Sequence, residues 1–357
     1  MMRIVLILTC VLCLFNSKAA LAWGYQGHEV VGSIADQLLH DNAKQHVRDI
    51  LNFTTPELRI AAPWADCVRS VVADSDGFEY VVNPEHFEYE VPCRPFKSPE
   101  ARARMEDFAK RNWFNCKPAA CHTNYHFDNV AIERDRYDRK YRGTNDHDLV
   151  SATGAAIAVL MDKPAPAPFS IKDKKEALLL LAHFVGDLHQ PLHVSVVYLD
   201  ADGKLVDPAA APENPAAETQ GGNIIGDQNI SLHHEWDDIP TDIGEAFTRE
   251  LLDAARSVPP SQGSIENWPV IWASDTIVVA RDAFAHLSFV PIRPVPPLYA
   301  KWSVVFDDHD AYLRSMDAIK RKQLAKGARG WRSCSTRSGR RAGRAISSSK
   351  TDDRSGI

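Results

Sequence analysis

The sequence predicts a single mostly helical domain, an all-α fold with a few short strands. Three observations predict it. Apolar residues recur at helical spacing in six segments, strand-like alternation is confined to two, and no linker composition divides the 357 residues. A chain of this length buries a full core without being split.

The first helix is expected over His28–Leu39, where Val30, Val31, Ile34, Ala35, Leu38 and Leu39 form one stripe. Leu149–Met161 is rich in Ala, Val and Leu and runs into the break at Pro164–Pro168. Asp173–Leu188 is a strongly apolar helix that carries several polar residues and is ended by Pro191. Further helices are expected over Ile243–Ser257, Val270–Leu287 and His309–Lys326. Glu79–Val91 and Val194–Leu199 are the two strand candidates. Ala201–Glu218, rich in Pro, Ala and Asp, reads as an inserted loop.

The ends differ from this body. Met1-Met2-Arg3, the apolar run Ile4–Phe15 and Ala20-Leu21-Ala22 have the pattern of a signal peptide, so residues 1–22 are expected to be removed, leaving Trp23 first. The domain then occupies 23–327. The tail, 328–357, holds seven Arg and seven Ser with almost no apolar periodicity, which reads as disordered or as the product of a shifted reading frame. Two of the seven cysteines, Cys10 and Cys13, leave with the leader. In an oxidising compartment Cys67, Cys93, Cys116 and Cys121 allow three pairings. A local Cys116–Cys121 clip with Cys67–Cys93 is favoured, and Cys334 is left over.

A net charge of −6 argues against a nucleic-acid surface built from Lys and Arg, although bound cations supply positive charge locally. Spacing singles out a few of the fourteen His. His183 and Asp187, and again His233 and Asp237, stand at i and i+4, one turn apart on a helix. Such a pair is usually a surface ion pair. His183 and Asp187, however, follow the run Ala177-Leu-Leu-Leu-Leu-Ala182, and buried imidazole and carboxylate need partners that a metal supplies.

Six motifs in order then resemble one family: Trp23-Gly24…Gly27-His28; Pro63-Trp64-Ala65-Asp66; Tyr125-His126-Phe127; Ala182-His183…Asp187…Gln190-Pro191-Leu192-His193; Gly221-Gly222-Asn223; and Asn229…Leu232-His233…Trp236-Asp237. The chain is similar to the zinc-dependent single-strand nucleases of the S-one/P-one type, whose fold is shared with zinc phospholipase C. The resemblance implies three Zn²⁺: one on Asp66, His126, His183 and Asp187; one on His193, His233 and Asp237; one on the amine and carbonyl of Trp23, His28 and the shared Asp187. It implies that Asp187, the bridging ligand, positions the attacking water, that a base stacks on Phe127, and that Asn223 reads base edges. The family commonly places an aliphatic residue and then an acid after the His-aromatic pair. Here Asp128 follows directly and Asn129 comes next, so Asp128 enters as a substrate contact displaced by one position.

The implied activity is a secreted or periplasmic endonuclease acting on single-stranded DNA and RNA, monomeric, free of the membrane after leader removal, and leaving 5′-phosphates. Dephosphorylation of 3′-nucleotides is left open. One alternative is a zinc phospholipase C, but there the first His lies farther from the N-terminal Trp and the last ligand is usually Glu, not Asp. The other is a non-catalytic zinc-binding secreted protein, whose ligands tend to sit in His-rich tracts. Here they are spread from Trp23 to Asp237.

Overall fold

The computed structural model describes residues 23–52, 57–73, 75, 77–82, 90–113, 121–210, 217–244, 247–296 and 298–348, with side chains as far as Trp331. The leader and Cys116 lie outside these residues. The first part of the chain forms α1 (Tyr25–Leu38), α2 (Asp41–Leu51), α3 (Leu58–Ala61), α4 (Trp64–Val68), α5 (Glu90–Cys93) and α6 (Pro99–Arg111). The middle forms α7 (Leu149–Leu160), α8 (Lys174–Asp187), α9 (Pro191–Val194) and α10 (Leu232–Asp237), and the last part α11 (Arg249–Ser257), α12 (Trp268–Ala283) and α13 (His309–Ser348).

Helix α8 is the centre. Every residue from Glu176 to Asp187 is buried, as expected of a helix apolar on all faces. It touches α1, α2, α3, α4, α7 and α13. Asp173 caps its start by accepting from the Glu176 N–H at 2.9 Å, as Asp148 caps α7 through Ser151. A second apolar cluster joins α1, α11 and α13 through Val30, Ile34, Leu251, Leu252, Leu324 and Ala328. A third lies against a four-stranded sheet ordered Ile230–Ser231, Ile225–Asp227, Trp302–Phe306, Leu287–Pro291.

That sheet departs from the sequence expectation. Its outer hairpin is local, but Trp302–Ser303 pairs in parallel with Ile225–Gly226, a non-local partner invisible to local patterning. Leu287, expected to end a helix, begins a strand, while α12 stops at Ala283. Among the described residues of the expected Glu79–Val91 strand, Glu79 and Tyr80 belong to the strand Phe78–Tyr80, whereas Glu90–Cys93 is helical and Cys93 faces Cys67. Val194–Leu199 yields two short strands, Ser195–Val196 and Tyr198–Leu199. Helix α11 starts at Arg249 instead of Ile243, because Thr248 takes the cap position and accepts from the Leu251 N–H.

Helix α13 does not break at Ala328. Ala328 and Trp331 are buried, and a Cβ at Gly330 would lie 3.2 Å from the Trp272 ring. The backbone stays helical through Ser348, so the last helix reaches past the expected boundary at 327. Trp331 supplies the apolar contact that the composition of the tail conceals.

Cys67 and Cys93 form the expected disulfide across 26 residues, with Cα atoms 5.7 Å apart. The other expected bridge, Cys116–Cys121, falls on Cys116. Replacing both Cys67 and Cys93 by Ala is expected to remove about 2–4 kcal/mol of stability, read as a lower guanidinium midpoint in equilibrium unfolding.

Candidate metal centre

Eight of the nine expected ligands are brought together by their side chains, from six separate segments. His183 and Asp187 lie one turn apart on α8, and His233 and Asp237 one turn apart on α10. His28 comes from α1, Asp66 from α4, His126 from the 3₁₀ turn Cys121–His126, and His193 from α9. All eight are buried. Three groups result: Asp66, His126 and His183; His28, His183 and Asp187; His193, His233 and Asp237.

The separations fit a metal. Donor atoms about 2.0–2.2 Å from one tetrahedral zinc lie about 3.3–3.6 Å from one another. In the first group His126 Nδ1 is 2.9 Å from His183 Nε2, 3.4 Å from Asp187 Oδ2 and 3.7 Å from Asp66 Oδ1. His183 Nε2 is 3.1 Å from Asp187 Oδ2 and 3.8 Å from Asp66 Oδ1. In the third, Asp237 stands 3.5 Å from His193 Nε2 and 3.3 Å from His233 Nε2. Asp187 turns Oδ2 to the first group and Oδ1 to His28 Nε2, 3.2 Å away. Both oxygens of Asp66 and of Asp187, both ring nitrogens of His28, His193 Nε2 and Asp237 Oδ2 are buried without a hydrogen-bond partner. Orphaned acceptors at this density are costly in a metal-free interior and are what a cation satisfies.

Outer contacts fix the rings. His183 Nδ1 donates to the Ala62 carbonyl at 2.8 Å, His193 Nδ1 to that of His126 at 2.7 Å, and His233 Nδ1 to that of Gly221 at 2.7 Å. Each bond places the proton on Nδ1 and leaves the Nε2 lone pair facing the group. The Gln190 amide donates to Asp237 Oδ1 at 2.7 Å. Trp23 is fully buried, and its indole donates to the Gly186 carbonyl at 2.9 Å, next to Asp187. Two glycines make room: a Cβ at Gly186 would lie 2.7 Å from His28 Nδ1, and one at Gly221 2.4 Å from the Leu192 carbonyl oxygen, with φ +60° besides.

Electrostatics agree. Burial alone would raise the Asp187 carboxyl, but His183, His193 and His28 around it hold it well below the usual carboxylate range. Burial opposes a charged His193 as well, yet Asp187 and Asp237 raise it to about 9. Burial pushes His28, His126 and His233 the other way, below the usual imidazole value, toward the neutral form that a metal requires.

The third group opens onto a cleft of about 270 Å³. His126, His193 and His233 form part of its wall, and half-buried Phe127 and Asn223 stand beside them. Asp128 does not. Its carboxyl is buried against Asp148, and burial first, then that like charge, push it well above the usual range. Its backbone N–H is spent on the His193 carbonyl at 2.7 Å, so Asn129 is the residue that turns to the cleft. Sequence reasoning missed Arg69, Asn129, Glu218 and Gln220, which also line it. Arg69 NH1 stands 3.5 Å from Asp66 Oδ1, and the i, i+3 relation was a usable signal. Glu218 has none, being delivered from the foot of the 201–218 loop, where Ala217–Glu218 pairs with Tyr198–Leu199. His189 donates to the Val185 carbonyl within its own helix end, and His234 lies 4.0 Å from Asp238, both apart from the three groups.

Gly186→Ala is expected to displace His28 and lower the zinc content by about one ion per chain, leaving the His193, His233 and Asp237 group filled. Elemental analysis of the purified variant reads this directly.

Comparison with known proteins agrees with the geometry. The family model S1/P1 Nuclease matches residues 23–328, thus including all the ligands above. The chain is also similar to Endonuclease 2 of Arabidopsis thaliana, 24% identical over 304 residues that cover 79% of this chain and 83% of that protein. The family is zinc-dependent in general. A buried His/Asp centre that a zinc ion fits, in a chain matched by this family from Trp23 to Ala328, leaves one conclusion: the chain belongs to the S1/P1 nuclease family and is a nuclease.

Proposed function

We propose that this nuclease is a secreted endonuclease that binds three zinc ions and cuts single-stranded DNA and RNA to 5′-phosphate products. The observation that carries the reading is the position of Asp187: fully buried, it directs one oxygen to each of two donor groups, while the third group opens onto the cleft lined by Phe127. Zinc bound there would polarise the phosphodiester and lower the pKa of a bound water toward ~7.

The chain's own residues do the rest. Asp187 holds two donor groups at a fixed separation, which orients the attacking water against the phosphate. Arg69, on the cleft wall with its side chain about one-third exposed, offers a planar donor suited to a phosphate oxygen. Phe127 presents an aromatic face to an unstacked base, and Asn223 offers amide groups to its edge. A base that stacks on Phe127 must first leave its own stack, which favours single strands. Secretion is supported by the Cys67–Cys93 disulfide and the leader pattern of residues 1–22. No described helix is long and apolar enough to cross a membrane.

Asp187→Asn is expected to lose two zinc ions and nearly all hydrolysis, while His234→Ala keeps both. Phe127→Ala is expected to raise KM on single-stranded DNA by about 5- to 150-fold, the equivalent of ~1–3 kcal/mol of stacking. Residues left in front of Trp23 are expected to depress activity, with recovery after a protease cut that exposes its amine. Hydrolysis assays on single-stranded DNA, RNA, duplex DNA and phosphatidylcholine test the substrate class. Turnover of the lipid without nucleic-acid cleavage would contradict it.

A further inference from the structure

The two helices that carry paired ligands both end on a carboxylate: α8 on Asp187 and α10 on Asp237. A helix C-terminus is the wrong end for negative charge, and its last carbonyls lack helical partners. Those carbonyls are nonetheless satisfied from outside. Around Asp187, Gly186 O accepts from Trp23 and from the His189 N–H, and Leu188 O accepts from Thr276 Oγ1 at 2.7 Å. His189 O accepts from Gln323 at 2.9 Å. Around Asp237, the carbonyl of Asp237 accepts from the Gly24 N–H at 2.8 Å. The carbonyls of Glu235 and Asp238, which bracket the ligand, are both taken by Lys320 Nζ, the latter at 2.7 Å.

Lys320 and Gln323 stand three residues apart on α13, are 2% and 0% exposed, and reach the ends of α10 and α8 respectively. A fully enclosed lysine is unusual unless its charge has a specific use. Its ammonium also lies 5.9 Å from the centre of the Trp236 ring, inside the same helix end. Both of these hydrogen bonds go to backbone carbonyls at the end of α10, and the carboxylates of Asp238, Asp317 and Glu235 lie around the ammonium without bonding to it.

We propose that Lys320 is a positioning residue for the metal group of His193, His233 and Asp237: by binding the carbonyls on either side of Asp237 it fixes the carboxylate against His233 Nε2 and His193 Nε2. The proposal rests on the metal reading of that group. It makes α13, which contributes no ligand, part of the metal centre. Losing an outer contact of this kind typically costs 10–100-fold in metal affinity.

The test uses the zinc-loaded full-length protein, dialysed against a graded series of chelator concentrations, with retained zinc measured by elemental analysis. The step belonging to this group is identified by its disappearance in His233→Ala. Lys320→Met is expected to shift that step by about 10–100-fold while the remaining zinc is retained as in the unaltered protein. Phe289→Ala, a buried truncation in the edge strand Leu287–Pro291, serves as the control for general destabilisation and is expected to leave the step in place. An unshifted step in Lys320→Met, or an equal shift in Phe289→Ala, overturns the proposal. Lys320→Gln keeps one donor, so it is expected to shift the step less than Met does, and it decides the matter if Lys320→Met does not fold: an unshifted step there overturns the proposal. A step that never depended on His233 refutes the metal reading itself, a different result.

Discussion

The structure depends on keeping one carboxylate buried and charged. Asp187 is fully enclosed at the end of the central helix, with His28 on one oxygen and His126 and His183 on the other. Isolated, it would take up a proton or unfold its surroundings. Surrounded by imidazoles and, when loaded, by cations, it becomes the point where α1, α4, α8 and the 3₁₀ turn before Phe127 converge. The apolar packing of α8 fixes where that point is, and the donor groups fix what occupies it.

This arrangement explains why so many backbone polar groups near the centre are spoken for. Carbonyls of Ala62, His126 and Gly221 hold imidazole protons, and Trp23, Thr276, Gln323 and Lys320 hold carbonyls at the ends of α8 and α10. Each bond removes an alternative that a ligand side chain or helix end would otherwise explore. Rigidity of this sort is what keeps donors within a few tenths of an ångström of a tetrahedral arrangement. It also couples the site to elements far away in sequence, α1 at one end and α13 at the other.

How much of this was readable in the sequence varies with the range of the interaction. His183–Asp187 and His233–Asp237 were legible because i, i+4 spacing on a helix is a local fact. His28, Asp66, His126 and His193 have no local relation to those pairs, and only motif resemblance selected them. Asp128 shows the limit of motif reading: shifted by one position, it turned inward to Asp148 and left the cleft to Asn129. The apolar helices α7, α8 and α12 were predicted to within a few residues, whereas the sheet was missed because Trp302–Ser303 finds Ile225–Gly226 across the fold. Trp331 was hidden in a segment whose composition reads as disordered, although it packs in the core. Lys320 looks in sequence like any surface lysine on a polar helix, and nothing short of the fold shows that it is enclosed.

The central claim is that three donor groups, two of them sharing Asp187, form one polynuclear zinc centre. Crystals of the freshly purified, mature protein, measured on either side of the zinc absorption edge, test it most directly. The account predicts three anomalous peaks, two on opposite oxygens of Asp187 and one among His193, His233 and Asp237. One peak or none, or zinc bound away from these residues, would contradict it.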